Sequence, residues 1–291
     1  MEDKQYPALY CATNKASMDA QNQYLGFVRV YSFLLIAAAG LGVYGINEKW
    51  SAIVAALLVI GSIFLSVLML LRRDEDTWYR ARSVAESVKT SSWRFMMRCE
   101  PYVDAPDVRV VKSRFRARLK NILSEHKDLA VHLGGTVSEQ EQITEKMCET
   151  RNLSWEQRID FYRTYRIDEQ RSWYANKSAW NRKKGRLWFS ILIGCQAFAV
   201  LFLILRVAYP DSGYWPADVF VVAAGSALTW IQVKRFKELA AAYGLTAHEI
   251  GVVRGELEQI DSEEKLAEFI ADSENAFSRE HTQWLARKDS L

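Results

Sequence analysis

Two long apolar runs, residues 24–46 and 51–71, stand near the start of the chain with only the short polar turn 47–50 between them. They hold 23 and 21 residues, against about 20 needed for a helix to cross about 30 Å of hydrocarbon. Neither shows the polar stripe at helical period that a helix buried in a soluble core carries. Arg29 lies close enough to the start of the first run for its side chain to reach back toward headgroups. Two further runs, 187–207 and 215–233, hold 21 and 19 residues, and a Pro- and Gly-containing turn rich in aromatic residues, 209–218, separates them. Aromatic residues of this kind favour interface depth. The pattern predicts an all-α membrane protein with four transmembrane helices, arranged as two tandem hairpins joined to long cytoplasmic helices.

The polar segments read as helices too. Residues 74–100 lack Gly and Pro until Pro101 and predict one long helix. On it Arg82, Glu86, Lys89 and Trp93 recur at spacings of four, three and four, which places them on one face. Arg82 can pair with Glu86, Glu86 with Lys89, and Lys89 can lie over the Trp93 ring. A solvated, salt-bridged face explains the stripe equally well. Residues 107–125 form a second helix with Phe115, Leu119 and Ile122 on one side, and Arg114, Arg116, Arg118 and Lys120 around it suit anionic headgroups better than DNA. A flexible break is expected at 132–138 and a short helix at 139–149. Ser154 with Gln157 opens a further helix as a capping box, running from Trp155 to about Lys184 with aromatic residues at packing positions. Residues 234–259 and 263–287 are mostly helical, although Gly244, Gly251 and Gly255 weaken the first of these. The domain division expected is 1–130 and 155–291, each with one hairpin, joined by a linker at 131–154 that contains a short helix.

Composition alone describes something blander. The chain has 291 residues, a net charge of +3 and a mean hydropathy of -0.14, values typical of a soluble protein, because four apolar runs are averaged with a strongly polar remainder. Charge is more informative by position. Arg72 and Arg73 follow the second run, Arg182, Lys183, Lys184 and Arg186 precede the third, and Lys234, Arg235 and Lys237 follow the fourth. The hairpin loops have little beyond Lys49 and Arg206, so both termini and the middle segment are expected in the cytoplasm, with the protein multi-pass in the cell inner membrane. No cleavable signal is evident, and the first run is expected to stay as an anchor. Cys11, Cys99, Cys148 and Cys195 are too widely spaced for a metal or redox motif and are expected reduced.

The two halves repeat. Asn14-Lys15-Ala16-Ser17 recurs as Asn176-Lys177-Ser178-Ala179, 162 positions on. Phe27 matches Phe189 at the same offset, Trp50 matches Trp215 at 165, and Ala85-Glu86-Ser87-Val88 is weakly echoed at 247–250. A tandem duplication of helix, hairpin, helix follows, and an even number of spans per copy gives both copies one orientation. The block from Arg82 to Arg94, then Glu100-Pro101-Tyr102, Glu141 to Thr144, and Arg166 to Tyr174 resemble the bacterial SLATT family, two-transmembrane effector domains associated with nucleotide-synthesising and nucleotide-sensing modules. The resemblance covers nearly the whole chain as two units. It implies pore formation or membrane disruption in phage defence or other conflict systems, with no catalytic residues. No fused sensor or nucleotidyltransferase domain is expected, so the resemblance implies a trigger from a separate partner.

Enzyme motifs are missing: there is no phosphate loop with Lys, no His-Glu-x-x-His and no Gly-x-Ser-x-Gly elbow. No enzymatic activity, cofactor, metal or nucleic-acid partner is expected; the expected partners are membrane lipid and further copies of the chain. The spans carry no Asp, Glu, His or Lys deep within them, which argues against a proton-coupled carrier. Ser62, Ser66 and Gln196 are candidate pore-lining groups, and Gly42, Gly61 and Gly225 candidate helix-packing positions. Four spans enclose little room, so a pore needs a homo-oligomer. The expected gating or interaction stripe comprises Arg82, Glu86, Lys89 and Trp93 with Asp168, Gln170, Arg171 and Trp173, and Asp168 or Glu169 is expected to lie near Arg82 or Lys89, within about 15 Å. The same residues would serve a non-conducting anchor that recruits a cytosolic partner.

Overall fold

The structure, a computed structural model, describes residues 1–44, 49–131, 133, 141–212 and 214–289. Every regular element among them is helical. The helices are α1 (Ala8–Tyr44), α2 (Lys49–Arg72), α3 (Asp74–Met96), α4 (Val108–Glu125), α5 (Glu145–Arg151), α6 (Trp155–Tyr162), α7 (Glu169–Ala208), α8 (Ala217–Lys234), α9 (Phe236–Glu256) and α10 (Glu263–Asp289), with a π-helical turn, Arg163–Asp168, between α6 and α7. Part of the first hairpin turn at 47–50, most of the break at 132–138 and the start of the helix expected at 139–149 lie outside the described residues.

Local chemistry sets most boundaries. Ser154 and Gln157 close the expected capping box on α6, and Asp107 accepts from the Arg109 amide at the start of α4. The buried face of α4 is Val111, Phe115, Leu119 and Ile122, which contains the expected trio. The long helix expected over 74–100 ends at Met96, before Pro101, with Arg98 in the left-handed region. Two more arginines adopt that conformation, Arg73 (φ 49°) and Arg235 (φ 47°), each directly after an apolar helix. They lie 162 positions apart, so the repeat preserves a backbone geometry that costs about 1–2 kcal/mol for a residue with a Cβ. A second preserved feature is a serine clip. The Ser17 hydroxyl donates to the Trp78 carbonyl (3.1 Å) and the Ser178 hydroxyl to the Ala240 carbonyl (2.7 Å), two carbonyls that are again 162 positions apart.

The chain forms two compact units, and each takes segments from both halves of the sequence. One comprises Met1–Asn22, Asp74–Ser172 and His248–Leu291; the other comprises Gln23–Arg73 and Trp173–Ala247. The first is a polar helical bundle with α3 at its centre. From Ser91 to Met97 only Arg94 of α3 and its end is not buried, because α10, α4 and α5 pack around it. Cys99 is fully buried there, and burial pushes its thiol up to about 12. A raised folded-state pKa means that its contribution to stability is complete below the ordinary value of 9.0 and is lost as pH rises through about 12. At pH 8 the native protein is therefore expected to leave Cys99 unmodified by N-ethylmaleimide while the half-buried Cys148 reacts. Peptide mapping that found Cys99 labelled as fast as Cys148 would show that the end of α3 opens.

The second unit carries the apolar helices, and its surface is oily. Phe33, Ile53, Leu57, Ile60, Phe64, Leu70, Leu187, Ile204 and Val207 all stand outward, a continuous apolar exposure that water does not tolerate and lipid does. Its interior is thin: Leu192, Ala224 and Ala227 pack between α7 and α8, Phe198, Phe202 and Phe220 group beside them, and Leu34 of α1 reaches Gly61 of α2. Arg29 lies over the Trp230 ring at 5.2 Å, which gives the charge inside the first run an aromatic partner. Three helical stretches, Ala8–Val43, Lys49–Met96 and Trp155–Ala208, are long and apolar enough to cross a membrane by length and composition. The fourth apolar run forms α8, whose 18 residues span about 27 Å at 1.5 Å per residue and include Asp218 and Lys234. It is not among those three, so three of the four expected spans are supported on these criteria.

Candidate functional site

The face of α3 that carries Arg82, Glu86, Lys89 and Trp93 turns inward instead of toward water. Glu86 and Trp93 are buried, while Arg82 and Lys89 are half-buried at the rim. Arg82 holds Glu86 at 2.5 Å, as its i,i+4 spacing predicts. Its other nitrogen donates to the Asn14 side-chain carbonyl at 3.1 Å, and the Asn14 amide donates to Asp3 at 3.1 Å. Asn14 of the repeated motif thus ties the N-terminal segment to α3. Lys89 lies over Tyr6, 5.8 Å from the ring centre, and not over Trp93 as its sequence spacing suggests. Burial lowers the pKa of its ammonium, with Glu86 opposing.

Trp93 occupies the middle of the bundle. Its indole N–H donates to the Tyr6 hydroxyl at 3.0 Å, and the Tyr162 ring meets it edge-on at 5.5 Å. The cation near it is Arg166, whose guanidinium lies over Trp93 at 6.0 Å and over Phe277 at 4.8 Å. Arg166 also grips Glu274 with two nitrogens, each at 2.7 Å, and the Tyr162 hydroxyl donates to the same carboxylate at 2.9 Å. Both charges are within 2 % of complete burial. Burial opposes the Arg166 charge most strongly, but Glu274 with Tyr162 and Tyr6 more than offsets it, so its pKa moves upward. Tyr162 shifts upward too, through burial first and the Glu274 charge second. The π-helical turn puts Arg166 and Ile167 side by side in this core; such turns recur at functional positions.

Two further buried arginines stabilise the end of α3. Arg151 donates to the carbonyls of Phe95 (2.5 Å) and Tyr102 (2.9 Å) and pairs with Asp104. Arg158 donates to the Met97 carbonyl at 2.8 Å and pairs with Glu263. The Phe95 and Met97 carbonyls lie where α3 ends and intrahelical donors run out, and Arg151 of α5 and Arg158 of α6 supply side-chain donors there.

The residues in the second half of the expected stripe have partners of their own. Asp168 pairs with Arg254 at 2.7 Å and Glu169 with the N-terminal amine at 3.3 Å, so the ion partners of these two acids are Arg254 and the N-terminus. Gln170 is half-buried, and Arg171 is exposed with its guanidinium about 3.5 Å from where a side chain on Gly251 would begin. Trp173 belongs to the other unit, where it packs on Tyr174 and Tyr243 with Lys177 above its ring. Gly251 and Gly244 do not interrupt α9. Their missing side chains leave room for Arg171 and Ser178 respectively, each within its own unit. Of the residues expected in a pore or in helix packing, Ser62 is buried and donates to the Val59 carbonyl, while Ser66 donates to the Ser62 carbonyl. Gly61 lies against Leu34; Gly42 and Gly225 have nothing within 4 Å of an added Cβ, and Gln196 is exposed.

Arg166, Glu274, Tyr6 and Tyr162 were not legible as a site. Arg166 sits in one of the blocks that carries the family resemblance, which was the available signal. Among the described residues no group of three or more His, Cys, Asp or Glu could hold a metal ion.

No curated protein and no solved structure matches the chain. Residues 7–159 match the model of the SMODS and SLOG-associating 2TM effector domain 3, and residues 162–284 that of the SMODS and SLOG-associating 2TM effector domain 1. These are effector transmembrane domains and are not known as catalytic families. With one match over more than half of the sequence and the other over most of the remainder, this membrane protein belongs to the SLATT family and carries two SLATT domains in tandem.

Proposed function

We propose that this protein is a bacterial membrane effector of a phage-defence or other conflict system, and that several copies assemble to conduct ions or breach the bilayer once a separate sensor or nucleotide signal releases them. Four spans as two hairpins, with both termini in the cytoplasm of a cell bounded by the inner membrane, give the polar bundle access to such a signal. The observation that carries this reading is the buried core of Trp93, Arg166 and Glu274. It joins residues of both tandem domains in one network, on a π-helical turn directly before α7. A fully buried ion pair is weak evidence for stability but suits an element with two alternative packings. The exposed Gln196, Gly42 and Gly225 supply small and polar surface through which neighbouring copies can approach.

Potassium efflux from liposomes containing the purified protein tests this. Glu274→Gln weakens the core pair while keeping its shape, and its retained helix content is checked by circular dichroism. The variant is expected to leak faster than the wild-type protein and to depolarise cells that express it. If neither protein conducts at any level of incorporation, the conducting role is wrong and a non-conducting anchor for a cytosolic partner takes its place.

A further inference from the structure

The second unit contains a cavity of about 640 Å³ where α7, the end of α8 and the start of α9 meet. Its walls change character along α7. Arg182 and Arg186 lie one turn apart, and Phe189 follows in the next turn, so the lining passes from cationic to apolar within about 10 Å of helix. Lys237 of α9 adds a third cation, and Ile231 and Phe236 continue the apolar part. Among the described residues no acid lines the cavity. Among the described residues Arg182, Arg186 and Lys237 form no ion pair, whereas the adjacent Arg235 is neutralised by Glu238 at 3.2 Å.

The backbone explains the shape. Arg235, in its left-handed conformation, caps α8 and redirects the chain. Phe236 is thereby buried against α7, its Cβ only 3.1 Å from where a side chain on Gly185 would begin. That close approach leaves the cavity beside it, with Phe189 58 % exposed.

The first copy of the repeat provides an internal comparison. At the offset of 162, Arg182, Arg186 and Lys237 correspond to Ala20, Tyr24 and Glu75, and Gly185 to Gln23. Phe27, the counterpart of Phe189, is covered there by the Arg72 guanidinium at 5.6 Å, and Arg72 also donates to Gln23 at 2.7 Å. The duplication therefore preserves the fold at this point while only the second copy carries the cations and an uncovered ring.

We infer that this cavity is a binding site for one anionic phospholipid, its phosphate held by Arg182, Arg186 and Lys237 and the beginning of an acyl chain lying on Phe189, Ile231 and Phe236. A free phosphate compound would use the three cations but leave the apolar wall unfilled, and a zwitterionic lipid would leave the positive charge unbalanced. The inference is independent of whether the protein conducts.

Native mass spectrometry of the full-length, delipidated protein in detergent tests it, titrating dioleoyl phosphatidylglycerol against dioleoyl phosphatidylcholine. One phosphatidylglycerol per chain is expected to bind preferentially. At about 1 kcal/mol per cation near an anionic headgroup, each neutralised cation costs about fivefold in affinity, and Arg182→Gln/Arg186→Gln/Lys237→Gln on the order of 100-fold. The control Lys146→Gln/Arg163→Gln/Lys265→Gln removes the same charge from the polar bundle, at residues that pair with Glu149, Asp160 and Asp261, and is expected to change affinity less than twofold. Ala241→Trp, which fills the cavity and keeps every cation, is expected to weaken binding at least tenfold. Equal losses in the two charge variants would show diffuse attraction and overturn the site, as would unchanged binding in Ala241→Trp. Displacement of the lipid by millimolar glycerol 3-phosphate would assign the cations to a soluble phosphate and overturn the lipid assignment.

Discussion

Arg166→Met is expected to destabilise the polar bundle by about 3–5 kcal/mol, the cost of leaving one member of a buried ion pair without its partner. Glu274 would remain fully buried, with the Tyr162 hydroxyl still donating to it. Replacing both members, Arg166→Met with Glu274→Leu, is expected to cost far less, since no uncompensated charge stays behind. Urea unfolding in mild detergent, followed by tryptophan fluorescence, reads both variants. The coupling is the difference between the double variant and the sum of the singles. Simple additivity would mean that the pair does not act as a unit, and the core would lose its claim to hold two states apart.

Trp93→Ala comes next in size, at about 3–5 kcal/mol for deleting a large aromatic side chain that is wholly buried. Its ring contacts Tyr6, Phe161 and Tyr162, so the loss would fall on segments far apart in sequence. Trp93→Phe keeps most of the apolar volume and removes the N–H that reaches Tyr6, which is expected to cost about 1 kcal/mol for the hydrogen bond and somewhat more for the unfilled space. A surface stripe predicts a different pattern, with both substitutions within about 0.5 kcal/mol of the wild-type protein. Melting curves of the two variants therefore separate an interior role for this face from an exposed one.

Features that depend on near neighbours in the chain were legible beforehand. The Arg82–Glu86 pair follows from i,i+4 spacing, the capping box at Ser154 from two residues three apart, and the buried face of α4 from its apolar period. Lys89 illustrates where such reasoning stops. Spacing alone places it over Trp93, but Trp93 turns its indole toward Tyr6, eighty-seven positions earlier, and Lys89 covers the Tyr6 ring instead. Asp168 likewise takes a partner that spacing does not reveal, since Arg254 lies eighty-six positions later. The π-helical turn left no mark in composition or period.

By itself the amino-acid sequence determined that the chain is helical, that apolar runs of bilayer length stand between basic flanks, that the two halves are copies and that they resemble one family. Those properties are decided locally, by the length of an apolar run, by spacing along a helix and by like residues at a constant offset. Only the tertiary structure decided that the charged face of α3 is an interior, that Arg166 and Glu274 pair within it, and that one copy of the repeat has a cationic cavity where the other has a covered ring. Each of these depends on which distant segment fills the space beside a side chain, and burial changes the strength and meaning of a charge more than its neighbours in sequence do.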